Sequence, residues 1–90
     1  MANVFRFSIV TPEGVAADGE AELVEATSSV GRLGLMAGHQ PIVADCPSGK
    51  VRVFANGKWT SYDCDAGILV MDGKQARFIT AFAGSVGSVG

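Results

Sequence analysis

The sequence predicts an all-β domain, either a sandwich or a barrel of short strands. Short stretches of alternating apolar and polar residues are separated by turns rich in glycine, of which the 90 residues contain 12. No stretch combines the 3.6-residue apolar spacing of a helix with capping residues. A chain of 90 residues has the length of one domain with one core.

The first predicted strand covers residues 4–10. Alternation along it places on one face Phe5, Phe7 and Ile9, and on the other Arg6 and Ser8. Residues 11–14 predict a turn, because proline fixes φ and glycine accepts a positive φ. Residues 20–27 predict a second strand, whose buried face is ambiguous because two apolar residues are adjacent in it.

The strongest local signal is a hairpin within residues 51–63. Asn56-Gly57 lies between two β-rich runs and predicts a type I′ turn, which needs a positive φ at two successive residues. A two-residue loop fixes the register, so Phe54 faces Trp59. One side of the hairpin then carries Val51, Val53, Thr60 and Tyr62. The other side carries Arg52, Phe54, Trp59 and Ser61.

A second hairpin is predicted at residues 68–82, with its turn at Asp72-Gly73. One of its faces would carry Leu69, Met71, Ala76, Phe78 and Thr80. Residues 42–44 predict a further short strand. Residues 84–90 repeat glycine, serine and valine, which predicts a flexible tail after a domain of residues 1–83.

Composition excludes several classes of protein. The net charge is −2 and the seven cations are scattered, so nucleic acid is not an expected partner. Cys46 and Cys64 are too few for a disulfide framework and adjoin apolar stretches, which favours free thiols over a disulfide. The N-terminus lacks a signal-peptide pattern. The apolar runs are far shorter than the roughly 20 residues that cross a bilayer, so we expect no direct membrane insertion.

The sequence predicts no catalytic, cofactor or metal site. His39, Asp45 and Cys46 are grouped, but they lack the C-x₂-C spacing of a zinc site. A histidine and a cysteine without an orienting third group do not indicate nucleophilic catalysis. The glycines of residues 31–38 lack the Lys-Ser/Thr of a phosphate loop, so they predict tight turns and bulges.

Three segments resemble the epsilon subunits of F-type ATP synthases. Residues 31–42 (GRLGLMAGHQPI) are similar to the family pattern G-E-[FL]-G-[IV]-L-P-G-H-A-P-L. Residues 7–19 (FSIVTPEGVAADG) resemble the family's opening strand and turn. Residues 67–70 (GILV) match the family's S-G-G-F-L-E-V segment in position and type. The order and spacing of the family are kept from residue 5 to about residue 83.

The resemblance implies a flattened β-sandwich of about 8–10 short, mainly antiparallel strands without C-terminal helices. It also implies a non-catalytic rotor subunit without a cofactor, which contacts the gamma subunit and the membrane ring at the cytoplasmic face of the bacterial inner membrane. Such a subunit couples ion-driven rotation of the ring to the catalytic head. The family's helical hairpin, with its inhibitory and ATP-sensing roles, is not carried over, and the isolated chain is expected to be a monomer.

The resemblance assigns two candidate contacts with the membrane ring. Arg32 stands where the family has an acidic residue that touches the ring loops, and His39 lies beside that contact. A reversed charge calls for a changed partner loop, so we expect an acidic or neutral loop opposite Arg32. His39 has a plainer alternative, a turn histidine whose imidazole bonds a nearby backbone group.

Phe54 and Trp59 are the candidates for contact with the stalk subunit. If the opposite side of their hairpin faces the core, Trp59 is partly exposed, and exposed aromatics beside an arginine are typical of partner surfaces. The alternative is a local cross-strand cluster covered by a loop. For the whole chain, the alternative function is a free-standing β-sandwich that binds a small ligand or another protein. One Trp, one Tyr and no convergent polar set give that alternative little support.

Overall fold

The computed structural model describes residues 3–89, with side chains up to residue 84, and these residues form two five-stranded sheets packed face to face. From edge to edge, the first sheet contains β2 (Gly14–Ala21), β1 (Phe5–Thr11), β9 (Gln75–Thr80), β8 (Gly67–Met71) and β5 (Ile42–Cys46). The second sheet contains β10 (Ala83–Val89), β7 (Lys58–Cys64), β6 (Gly49–Ala55), β3 (Leu23–Ser28) and β4 (Gly31–Leu35).

This architecture confirms the predicted all-β sandwich of mainly antiparallel strands. Among residues 3–89, the one parallel pair joins β1 to β9. Within residues 3–89, no helix is long and apolar enough to cross a membrane.

The core lies between the sheets and comes from the inward side chains of both. Phe5, Phe7 and Ile9 of β1 are buried, as their alternation predicts, and Leu35 and Val51 meet them from the second sheet. The face predicted for the second hairpin is also confirmed. Its five members, all almost inaccessible to solvent, are Leu69, Met71, Ala76, Phe78 and Thr80.

The β6–β7 hairpin has the predicted register at every pair from Ala55↔Lys58 to Val51↔Tyr62. Its turn has φ values of 54° at Asn56 and 75° at Gly57, as a type I′ turn requires. The carboxylate of Glu22 accepts a hydrogen bond from the Asn56 N–H at 3.2 Å. The turn is therefore tied to the chain segment that links the two sheets.

The turn of the β8–β9 hairpin lies one residue later than predicted. The Asp72 N–H donates to the Gln75 carbonyl (3.1 Å), which leaves Gly73 and Lys74 at the tip. The Asp72 carboxylate accepts hydrogen bonds from the backbone N–H groups of Gln75 and Lys74, which lower the pKa of Asp72. Gly73 takes a φ of 98°, so the glycine sits where the backbone needs it.

The strand predicted at residues 20–27 is wrong as a single element. The chain bends at Glu22, where it leaves β2 in the first sheet and enters β3 in the second. The Glu22 N–H donates to the Phe54 carbonyl at 2.8 Å and anchors this corner. Ala21 and Val24 are both buried, one in each sheet, so the ambiguous pattern of apolar residues marks a crossing between layers.

Backbone pairing also extends into the segment predicted as a tail from residue 84. Ala83–Val89 forms β10, which pairs antiparallel with β7. Glycine and serine are poor strand formers, so the sequence does not predict this element. The pairing satisfies backbone groups that β7 would otherwise present as an open edge. Flexibility of the segment stays a prediction, and residue 90 lies outside the described residues.

Candidate interaction surfaces

An aromatic pair lies on the outer side of the second sheet. Phe54 of β6 and Trp59 of β7 face each other with ring centroids 5.1 Å apart and planes tilted by 47°. Both side chains are half-buried, and Leu23 of β3 pairs with Phe54 from the other flank. The predicted pair is therefore formed, and part of each ring is accessible.

A row of charged side chains continues from this pair across the sheet. The Arg52 guanidinium lies 4.5 Å from the centroid of the Trp59 ring. Its Nη1–H donates to Oε1 of Glu25 at 3.0 Å, and Nη2 of Arg32 lies 4.0 Å from the same oxygen. We call this connected row the contact face. Its members are Arg32, Glu25, Arg52, Trp59 and Phe54.

The register of β3 explains why the row is connected. Glu25 pairs with Arg52 of β6 on one side and with Gly34 of β4 on the other. Gly34 has no side chain, so Arg32 reaches Glu25 along the diagonal, a separation of about 7–8 Å between Cα atoms. The sequence did not indicate Glu25, because its partners lie on strands that are distant in the chain.

The two candidate ring contacts do not lie together. Arg32 is next to the β3–β4 turn. A backbone hydrogen bond joins this turn to the C-terminal part of β5. His39 follows the other end of β4, where the Gly38 N–H donates to the Gly73 carbonyl in the β8–β9 turn (3.1 Å). The two residues are therefore at opposite ends of β4. The length of this strand, about 3.3 Å per residue, separates them.

His39 makes the local bond that its plainer interpretation predicts. The Nδ1–H of its imidazole donates to the Gln40 carbonyl at 2.7 Å. Its backbone N–H donates to the Met36 carbonyl at 3.1 Å, which closes a turn after β4. A local structural role is thus sufficient to fix the imidazole, and contact with a partner stays a proposal.

The outer side of the first sheet carries an apolar stripe that sequence reasoning missed. Val10 pairs with Val15 and with Ile79, and Ile79 pairs with Ile68. We call these four residues the apolar stripe. Val15 is 62% exposed and Ile79 is 46% exposed, values that are unusual for apolar side chains aligned on one face. Only the register between four strands brings them into one row.

Cys46 and Cys64 are buried free thiols in the core. Burial raises the pKa of the Cys46 thiol, and the neighbouring carboxylate of Asp45 adds to the effect. Burial, followed by the carboxylates of Asp63 and Asp65, raises the pKa of Cys64 from 9.0 to about 11. Both thiols are therefore held neutral, which disfavours reactivity.

Alkaline pH is expected to destabilise the domain through Cys64. The folded state binds the thiol proton more tightly than the unfolded state, so stability is complete below pH 9 and falls as the pH rises towards 11. The full shift corresponds to about 2–3 kcal/mol. The free energy of unfolding, measured with urea between pH 8 and pH 11, should decline less steeply with pH for Cys64→Ala than for the native chain. Equal slopes for both proteins would contradict this assignment.

The described residues form several surface cavities and offer no cluster of side chains for a metal ion. A cavity between the sheet edges, lined by Phe7, Asp18, Val53 and Tyr62 among others, has a volume of about 160 Å³. Two larger cavities, of about 450 and 460 Å³, lie around Val10 and Ile79 of the first sheet and exceed the roughly 300 Å³ at which ligand sites usually begin. Residues 3–89 contain no group of three His, Cys, Asp or Glu side chains suited to hold a metal ion. The exposed features suited to recognition are therefore the two outer sheet faces.

Comparison with known proteins identifies the family. Residues 4–84 match the family described as the ATP synthase delta/epsilon chain, beta-sandwich domain. This chain belongs to that family. The two sheets thus form a delta/epsilon chain β-sandwich, and the resemblance seen in the sequence is confirmed.

Individual relatives agree with this assignment. The delta/epsilon chain domain is 35% identical over 80 residues to the ATP synthase epsilon chain of Alkaliphilus oremlandii, covering 89% of this chain and 60% of that protein. It is 44% identical over 52 residues to the epsilon chain of Lacticaseibacillus casei, covering 58% of this chain and 36% of that protein. The chain thus spans less than two thirds of the length of these relatives.

Solved structures share the fold. A chain in the mitochondrial ATP synthase of Euglena gracilis, solved as the OSCP/F1/c-ring assembly, superposes with a TM-score of 0.84 at 16% identity, covering 91% of this chain and 53% of that chain. A chain from the central stalk and c-ring of the Tetrahymena thermophila enzyme has a TM-score of 0.74 at 10% identity, covering 92% and 67%.

Proposed function

We propose that this chain is a non-catalytic rotor subunit of an F-type ATP synthase, which couples ion-driven rotation of the membrane ring to the catalytic head and aids assembly. The observation that carries the proposal is the family match over residues 4–84, which includes nine whole strands and the start of the tenth. The active sites of the enzyme belong to other subunits in this proposal, and the chain works by surface contact alone.

The proposed partners are the gamma subunit of the stalk and the subunits of the membrane ring. In this proposal, the chain lies at the cytoplasmic face of a bacterial inner membrane, held there through the complex. Arg32 is proposed to meet the ring, and its exposed guanidinium beside the β3–β4 turn suits a contact with a loop. His39, at the other end of β4, remains a second proposed contact. The free-standing binding module is the alternative function.

The two outer faces differ in what they offer to the stalk. The contact face presents Phe54 and Trp59 beside Arg52, which suits a partner with both apolar and acidic groups. The apolar stripe presents aliphatic side chains across four strands, which suits an apolar partner surface. Phe54 and Trp59 stay our proposal for the stalk contact. The apolar stripe serves as the control surface in the binding experiment.

Trp59→Ala is expected to weaken binding to the gamma subunit by roughly 2 kcal/mol, the cost of removing an aromatic anchor from an interface. The effect on folding should be smaller, because Trp59 is only half-buried and lies outside the core. Co-purification of the chain with the gamma subunit, followed by titration of the purified pair, measures the first effect. Thermal unfolding of the isolated chain measures the second.

Ile79→Ser is the control for the other face. It removes an exposed apolar side chain from the apolar stripe and leaves the contact face unchanged. If Ile79→Ser weakens gamma binding and Trp59→Ala does not, the stalk contact moves to the first sheet. If the native chain does not co-purify with a gamma subunit at all, the proposed function is wrong.

A further inference from the structure

We propose that Glu25 determines the specificity of the contact face: it holds Arg52 on the Trp59 ring and leaves Arg32 to bind a carboxylate on a partner loop. The inference rests on the proposed function, since it takes Arg32 as a contact with another subunit. It adds a residue that neither the sequence pattern nor the family assignment indicates.

The Glu25 carboxylate is shared unequally between the two arginines. Arg52 makes a hydrogen bond to Oε1 at 3.0 Å, whereas the nearest nitrogen of Arg32 stands at 4.0 Å, beyond hydrogen-bond distance. The Arg32 side chain is 76% exposed and that of Arg52 is 40% exposed. Arg52 is therefore the bound partner, and Arg32 keeps its donors available.

The charges of the face favour an acidic partner. Two guanidinium groups share one carboxylate, and the neighbouring ions Lys50 and Asp63 pair with each other at 2.8 Å. Among the described residues, this leaves one excess positive charge on the contact face, located at the Arg32 end. A loop that carries a carboxylate complements this charge, and a basic loop is repelled.

The surface beside Glu25 has room for a partner side chain. A Cβ atom at Gly34 would meet only one atom within 4 Å, Cδ1 of Leu23 at 3.9 Å. Gly34 lies directly across from Glu25 and next to the path of Arg32. A carboxylate that enters this open position can accept hydrogen bonds from Arg32 without displacing Arg52.

Arg52 transmits the effect of Glu25 to the aromatic end of the face. Its guanidinium lies over the indole of Trp59, where a cation is attracted to the ring, and the bond to Glu25 limits where it can move. Glu25 is thus a positioning residue for Trp59, although the two side chains sit on strands separated by β6. Partner contacts at Arg32 and at Trp59 are linked through one carboxylate.

Trp59 is the single tryptophan of the sequence, so its fluorescence tests this arrangement directly. In Glu25→Gln, Arg52 is released from its partner, and acrylamide quenching of Trp59 should rise by about 1.5-fold. Arg52→Gln should give the same rise, and the double variant no further rise. Lys50→Gln, on the same side of the second sheet, should leave the quenching unchanged. Additive effects, or unchanged quenching in Glu25→Gln, would overturn the positioning role.

The preference for carboxylates is tested by titrating the chain with poly-L-glutamate at low salt. Binding is monitored through the NMR chemical shifts of the backbone amides of Thr27, Arg32 and Gly34. Arg32→Gln should weaken binding about twofold to fivefold, and Glu25→Gln should strengthen it by a similar factor. Arg77→Gln removes the same charge from the outer side of the first sheet and should leave these shifts unchanged. Equal losses in Arg32→Gln and Arg77→Gln, or equal binding of poly-L-lysine, would overturn the proposal.

Both experiments use the chain alone, so their outcome is separable from the proposed function. If they succeed and the chain does not co-purify with a gamma subunit, the function is wrong and the role of Glu25 stands. If the chain co-purifies and both measurements fail, the role of Glu25 is wrong and the function stands.

Discussion

Gly67→Ala is expected to destabilise the domain by about 3 kcal/mol, because the new methyl group has no space. A Cβ atom at Gly67 would overlap the backbone carbonyl oxygen of Ile79 and contact the buried ring of Phe78 at 3.0 Å. A backbone carbonyl in a neighbouring strand cannot rotate away as a side chain can. Strand β8 would therefore have to separate from β9 at the position where Gly67 pairs with Thr80.

Thermal unfolding followed by circular dichroism measures this effect. For a domain of this size, the expected loss corresponds to a decrease in Tm of about 15 °C. Gly49→Ala is the matched control, since Gly49 also lies in a strand but a Cβ there would meet only the Pro47 carbonyl oxygen, at 4.0 Å. It should change stability by less than about 0.5 kcal/mol. Similar losses for both variants would refute the steric explanation.

Local alternation was sufficient to predict β1 and the two hairpins, which supply much of the core. Phe5, Phe7 and Ile9 alternate with polar residues, and this pattern alone identifies the buried side of β1. The Asn56-Gly57 turn fixes a register of seven residue pairs, because a two-residue loop permits one alignment. In both cases, the information lies within a few residues of the chain.

Features that depend on distant strands were not predictable in the same way. The bend at Glu22 follows from the need of Ala21 and Val24 to enter different sheets, which no local pattern specifies. The parallel pairing of β1 with β9 joins residues about 70 positions apart, and β10 forms in a segment whose composition does not favour a strand. These features are set by tertiary packing.

The candidate site shows the same division. The turn between Phe54 and Trp59 predicts that they face each other. The alternation of β6 predicts that Arg52 lies on the same side of the sheet as this pair. Glu25 was missed because its neighbours come from β4 and β6, and a sequence gives no direct sign of which strands flank β3. The separation of Arg32 from His39 was missed because a contiguous motif spans the whole length of β4.

The contact face and the apolar stripe lie on opposite sides of one closely packed core. Side chains such as Phe78, Ile9 and Leu69 are at most 1% exposed and fill the space between the sheets. Closely packed interiors have low compressibility, so a load applied at the Arg32 end of the contact face is passed to the Trp59 end with little deformation of the sheets. This property suits the proposed role, in which the chain joins a rotating ring to a shaft.

Deleting the chain from the assembled enzyme is therefore expected to abolish most ion-driven ATP synthesis while leaving ATP hydrolysis by the isolated catalytic head intact. In the proposed function, the chain adds no catalytic group to the head and supplies the mechanical link between ring and shaft. Inverted membrane vesicles from a deletion strain, assayed for synthesis and for ion pumping, measure the first effect. Hydrolysis by the detached head measures the second.

Measuring both synthesis by the vesicles and hydrolysis by the detached head separates an effect on coupling from an effect on catalysis. Adding back the native chain should restore synthesis, and adding back Gly67→Ala, which is expected to fold poorly, should restore much less. A head without the chain that lost hydrolysis entirely would show that the chain contributes to catalysis, contrary to the proposal. Undiminished synthesis in the deletion strain would show that the ring and the shaft are joined without the chain. A subunit whose removal does not reduce synthesis cannot be the one that transmits torque.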